Sequence, residues 1–131
     1  MGKIKAVWTQ VSGQATSVGD VTSGAQLVTV SLTVPHRGLI RRVRVRDDGT
    51  GTGTPTIAAS IAHSAAGATG LGVVLAYALA ANPLDSEETI YYQVVESGTA
   101  SRTGTLYVDV WTNDANKDHV LDIVIDIENL G

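Results

Sequence analysis

The chain has no cysteine, which excludes disulfide staples and thiolate metal sites and leaves the redox compartment open. It has no phenylalanine, one methionine and two tryptophans, so its core has to be built from aliphatic side chains with few large fillers. No uninterrupted apolar run approaches the ~18 residues of a membrane-crossing helix, so no membrane partner is expected. Met1–Lys5 is not followed by a hydrophobic stretch, so no secretion signal is expected either.

What the chain does have is strand-forming residues. Val, Ile and Thr make 40 of the 131 positions, and most of the 14 glycines fall between apolar runs. That is the composition of one all-β domain long enough to bury a core. The net charge of −4 is unevenly divided. Residues 1–46 carry seven basic residues and one acid, whereas residues 47–131 carry two basic residues and twelve acids. Such asymmetry can mark a basic arm for nucleic acid. Here the charges alternate with apolar residues, so the two halves are expected to interleave and neutralise each other.

Two stretches show this best. In Leu39–Arg46 the alternate positions Arg42, Arg44 and Arg46 are basic and Val43 and Val45 lie between them. In His119–Glu128, Asp122, Asp126 and Glu128 alternate with Leu121, Ile123, Ile125 and Ile127. Period-two alternation describes a strand with one dry and one wet face. An arginine row and a carboxylate row on two wet faces are natural neighbours in one sheet.

Eight strand-like runs can be read: Lys3–Val11, Leu27–Val34, Leu39–Arg46, Thr56–Ala62, Val73–Ala80, Thr89–Val95, Thr105–Thr112 and Val120–Ile127. The alanine-rich fourth and fifth also fit a helix; Val73, Leu75, Tyr77 and Leu79 alternate with smaller residues, and both are assigned as strands. Gln10–Gln26 reads as a loop or mobile arm. Pro35–Gly38, Asp47–Pro55, Asn82–Asp85, Glu96–Gly98 and Asn113–Asp118 read as turns or loops. The expected fold is an antiparallel two-sheet sandwich of about eight strands with jelly-roll order. Residues 1–26 form an N-terminal strand and flexible arm, and residues 27–131 form the sandwich. In a jelly roll lettered B to I, one sheet runs B-I-D-G, which makes the third and eighth runs neighbours.

No catalytic constellation announces itself. His36, His63 and His119 lie outside any nucleophile motif and read as surface or turn residues. Asp109, Asp122 and Asp126 could pair as acid and base for glycoside cleavage, but they read as a solvated strand face. Asp114, Asn116 and Asp118 have the spacing that opens a calcium loop, yet position six is His119 and position twelve is Ile125. They are better explained as a hairpin turn whose side chains bond the backbone. Gly67–Gly72 lacks the lysine and helix of a phosphate loop. No cofactor is expected. Arg37, Arg41, Arg42, Arg44 and Arg46 could form a phosphate-binding strip, but no aromatics interleave with them and the acidic row is their better partner. Exposed Trp111, Tyr107, Tyr91 and Tyr92 could stack on sugar rings, and Tyr107 and Trp111 share one face of their run with Asp109, as such a platform or as an interface.

The stretches Gly38–Val45, Val74–Tyr77, Thr89–Tyr92, Gly104–Val108 and Leu121–Glu128, with their Gly/Thr loops, resemble small β-sandwich virion proteins of tailed bacteriophages, which decorate or cement a capsid or build a head fibre. The resemblance covers roughly residues 38–128. It implies a jelly-roll-like domain without an active site, self-association (often as a trimer), docking on the major capsid protein, and a place in the virion after assembly in the host cytoplasm. The alternatives are a sugar- or receptor-binding module of a fibre and a nucleic-acid-binding domain using the arginine strip.

Overall fold

The fold was obtained as a computed structural model that describes residues 7–20, 28–63, 73–96 and 102–131. Every regular element among them is a strand. They are β1 (Val7–Val18), β2 (Val28–Pro35), β3 (Arg37–Asp47), β4 (Thr56–Ala62), β5 (Val73–Ala81), β6 (Leu84–Gln93), β7 (Thr103–Thr112) and β8 (His119–Asn129). They pair antiparallel into two four-stranded sheets, β1-β8-β3-β6 and β2-β7-β4-β5. In the first sheet the arginine-bearing β3 and the acidic β8 are neighbours, as expected from their charge rows. Among the described strands only β4 and β5 are both consecutive and paired; between the other consecutive pairs the sheet changes.

The two inner faces meet over an aliphatic core. From the first sheet come Ile40, Val43, Val45, Leu121, Ile123, Ile125 and Ile127; from the second come Leu32, Val34, Ile57, Ile61, Leu106, Val108 and Val110, all nearly or fully buried. Without phenylalanine, the largest buried side chain is Tyr92, whose hydroxyl donates to the Pro35 carbonyl at 2.7 Å. Its partner spans the corner where the chain passes from β2 to β3. A buried phenol satisfied by a backbone acceptor adds bulk to the core without an orphaned polar atom.

Several boundaries differ from expectation. Part of the expected Gln10–Gln26 loop is strand: β1 continues to Val18, pairing with β8 from Val7 through Ala15 before a register shift. Its Ser, Gly and Gln residues are poor strand formers, but they alternate correctly. Gln10 and Gln14 point outward and donate to Asp126 and Asp122 at 2.9 and 3.0 Å. Gly13 lies inward, where a Cβ would come within 2.8 Å of Leu32 and Val30 of the opposite sheet. Residues 21–26 of that loop, and the glycine-rich Gly67–Gly72, lie outside the described residues. β6 begins at Leu84, so the expected turn Asn82–Asp85 stops at Pro83. Asn113–Asp118 is a crossover between sheets, since β7 and β8 belong to different ones.

In β3 the period-two pattern slips between Ile40 and Arg42 against both β6 and β8. Against β8, Ile40 and Arg42 face the successive residues Ile127 and Asp126, so Arg41 is the extra residue of a β-bulge there; against β6 the extra residue lies in β6, where Glu88 and Thr89 face Arg41.

Ile125 is fully buried at the centre of the β1-β8-β3-β6 sheet, and its neighbour Val124 faces outward. Ile125→Ala is expected to cost ~2–5 kcal/mol through lost burial and the cavity left behind. Val124→Ala should cost under ~1 kcal/mol. Urea unfolding of the two variants checks this, and equal losses would contradict the inward and outward assignment of β8.

Candidate functional site

The outer face of the β1-β8-β3-β6 sheet is a carpet of alternating charge. Four guanidinium groups on β3 (Arg41, Arg42, Arg44, Arg46) run between carboxylates of β8 (Asp122, Asp126, Glu128) and of β6 (Asp85, Glu87). Arg42 makes a two-pronged pair with Asp85, Nε to Oδ1 at 2.9 Å and Nη2 to Oδ2 at 2.8 Å. Arg44 reaches Asp126 at 3.3 Å, Arg41 reaches Glu128 at 3.5 Å, and Arg46 stands 4.0 Å from Asp122. The ladder register puts Arg42 opposite Asp126 and Glu87, and Arg44 opposite Asp85 and Val124. Arg42 and Arg44 therefore lean to diagonal partners, which arginine is long enough to reach. Each exposed pair adds little stability alone. Together they define which strands lie beside β3 and in which register.

Asp85 falls inside the Asn82–Asp85 turn signal, which hides it in the sequence as a partner of the arginine row. Its hydrogen bonds from Arg42 hold its carboxyl below the usual carboxylate range. With five carboxylates to four guanidiniums the face carries no positive excess, which a phosphate-binding strip requires. Arg37 lies apart at the sandwich end, donating to the Leu130 carbonyl at 2.9 Å.

At one corner of this face is an open hollow of about 460 Å³ between Trp8, Gln10, Arg41, Arg42, Glu87 and Asp126, with Thr9 at its margin. Trp8 is 56% exposed. The Arg41 guanidinium carbon lies 5.5 Å from the centre of its ring, within cation–π range. Arg41 also donates to Thr89 Oγ1 at 2.9 Å, so its position is held from two sides.

Tyr107 and Trp111 lie half-buried on the outer face of the other sheet, on its inner strand β7. Between them Asp109 is buried, contrary to the expected solvated position, and accepts a hydrogen bond from the Thr29 hydroxyl. Asp109 lies in a different sheet from Asp122 and Asp126, so the three do not form one acid–base constellation. Tyr107 also borders a second hollow of about 390 Å³ with His63, Gln93, Val94, Val95 and Glu96, which Trp111 does not line.

The crossover before β8 corrects another expectation. His119 is fully buried, with Nε2 2.9 Å from Asp114 Oδ2 and Nδ1 3.4 Å from Asp47 Oδ2. The calcium-like triplet diverges. Asp114 Oδ1 accepts from the Asn116 backbone and side chain, as an expected turn would have it, while Asp118 Oδ2 accepts from the Thr52 backbone and hydroxyl. Among the described residues no group of three or more His, Cys, Asp and Glu is arranged to hold a metal ion.

The sheet edges differ in chemistry. Of the four edge strands β6 alone carries charge, at Asp85, Glu87 and Glu88; β1, β2 and β5 carry none, and six of the nine residues of β5 are exposed. Val73 and Leu79 are 39% and 49% exposed.

No family model, curated protein or solved structure matches the chain, so its own geometry carries the functional argument.

Four carboxyls are held below their usual values: Asp85 by Arg42, Asp48 by the Thr50 hydroxyl, Asp114 by the Asn116 backbone amide, and Asp118 by the Thr52 hydroxyl. A depressed native pKa contributes stability that is present above the ordinary value of about 3.9 and is lost as pH falls through the native value. Unfolding free energy should therefore decline below about pH 4. In an NMR titration Arg42→Gln should raise the Asp85 midpoint toward the ordinary value and leave that of Asp48 in place. An unmoved Asp85 would remove Arg42 as the cause.

Proposed function

We propose that this chain is a non-enzymatic structural protein of a bacteriophage particle, which decorates or cements the capsid through self-association and contact with the major capsid protein. Two features support the reading. The chain is an antiparallel two-sheet sandwich whose strand orders, β1-β8-β3-β6 and β2-β7-β4-β5, are compatible with a jelly roll, an architecture shared by capsid proteins and lectins. The conserved chemistry of a reaction is not what a cement needs; buried area and multivalency are. The observation that carries the reading is β5.

An edge strand offers unpaired backbone donors and acceptors, and proteins that work as single copies blunt such edges with charge, proline or cover. Among the described residues β5 pairs only with β4 and presents Val, Leu, Ala and Tyr without one charged side chain. In a repeated-copy shell, a neighbouring copy supplies the missing strand. A trimer is the favoured assembly. In a ring of three the contact is heterologous, with β5 against a different edge of the next copy.

Native mass measurement is expected to find one closed oligomer. Leu79→Lys, on the exposed edge, should shift it to monomer while leaving the far-ultraviolet circular dichroism unchanged. The wild-type protein should co-sediment with capsids and raise their heat resistance. A monomer at every concentration, with no capsid binding, would contradict the proposal.

A further inference from the structure

From the hollow beside Trp8 we infer a binding site for a neutral sugar ring, with the indole as its platform. The inference stands independently of the capsid role. An exposed indole on a strand is not by itself a site; what surrounds this one makes it so. The hollow takes a side chain from every strand of its sheet: Trp8 and Gln10 from β1, Asp126 from β8, Arg41 and Arg42 from β3, and Glu87 from β6. Its volume of about 460 Å³ lies in the range of small-molecule sites.

Charge decides the ligand class. Two guanidiniums face two carboxylates, so the floor has no excess of either sign to attract a phosphate or a cation. Arg41, in cation–π range of the Trp8 ring, already places a positive charge beside it, which repels a second cation such as a quaternary ammonium but not a neutral ring. A pyranose fits both conditions. Its C–H face is apolar and can cover exposed indole, and its hydroxyls both donate and accept. Glu87 stands opposite Arg42 in the ladder and feels its charge, but the Arg42 guanidinium hydrogen-bonds to Asp85, which leaves the Glu87 carboxylate as the acceptor offered to a ligand. Arg42 is held by Asp85 and Asp126 by Gln10 and Arg44, so the polar floor is fixed before a ligand arrives. The bulge at Arg41 creates the arrangement. It places two successive arginines on the wet face, one toward Trp8 and one toward Asp85. Bulges recur beside binding sites because they re-aim a side chain.

The test is titration of the full chain with neutral trisaccharides of glucose, mannose and galactose in α and β linkage, read by tryptophan fluorescence and calorimetry, with heparin as the anionic comparison. At least one neutral trisaccharide is expected to bind. Trp8→Ala should weaken it at least tenfold with an unchanged urea midpoint, and Glu87→Gln should weaken it severalfold. No binding across the neutral panel, binding of heparin alone, or binding kept in Trp8→Ala and lost in Trp111→Ala would each overturn the assignment.

Discussion

The fold depends on β3 being held between two acidic neighbours. Burial of Ile40, Val43, Val45 and the isoleucines of β8 supplies the driving force, but aliphatic strands can pair in many ways and registers. The arginine row removes that freedom. Moving β8 by one residue would put Asp122 and Asp126 into the core and its isoleucines beside guanidiniums. Because only β4 and β5 are consecutive partners, most pairings must be found across long stretches of chain. Such non-local topologies fold slowly and need discrimination between strands. Opposite rows of charge provide it on the wet face without disturbing the aliphatic core.

Much of this was readable from period-two alternation. The pairing of β3 with β8 followed from two rows of opposite charge, and the alanine-rich runs are the strands β4 and β5. The misses have local causes. β1 was cut short because Gln, Ser and Gly argue against a strand, although Gln10, Ser12 and Gln14 alternate with Val11, Gly13 and Ala15. Asp85 was lost to the turn signal of Asn82 and Pro83. His119 is in phase with Leu121, Ile123 and Ile125, so its burial was legible, but a histidine at a strand start was taken as a surface residue. The doubled arginine between Ile40 and Val43 was the sign of the bulge. The burial of Asp109 was not legible, since its partner Thr29 lies 80 residues away in the sequence, on the neighbouring strand β2.

The outer surfaces are chemically distinct. One sheet presents a neutralised network with an exposed indole at its corner, the other presents Tyr107 and Trp111 around a buried carboxylate, and the β5 edge presents uncharged backbone. In the proposed assembly, a polar face that is already internally paired would let the chain meet a neighbour through an edge without rearranging its charges.

The most direct measurement of the central claim is the inter-strand nuclear Overhauser network of the isotope-labelled protein. The account predicts backbone contacts from Val43 to Ile125 on one side and to Ser86 on the other, with Val45 facing Ile123 and Leu84. Contacts from Val43 to residues of β2, β4 or β7 in place of these, or a β8 register displaced by one residue, would contradict it.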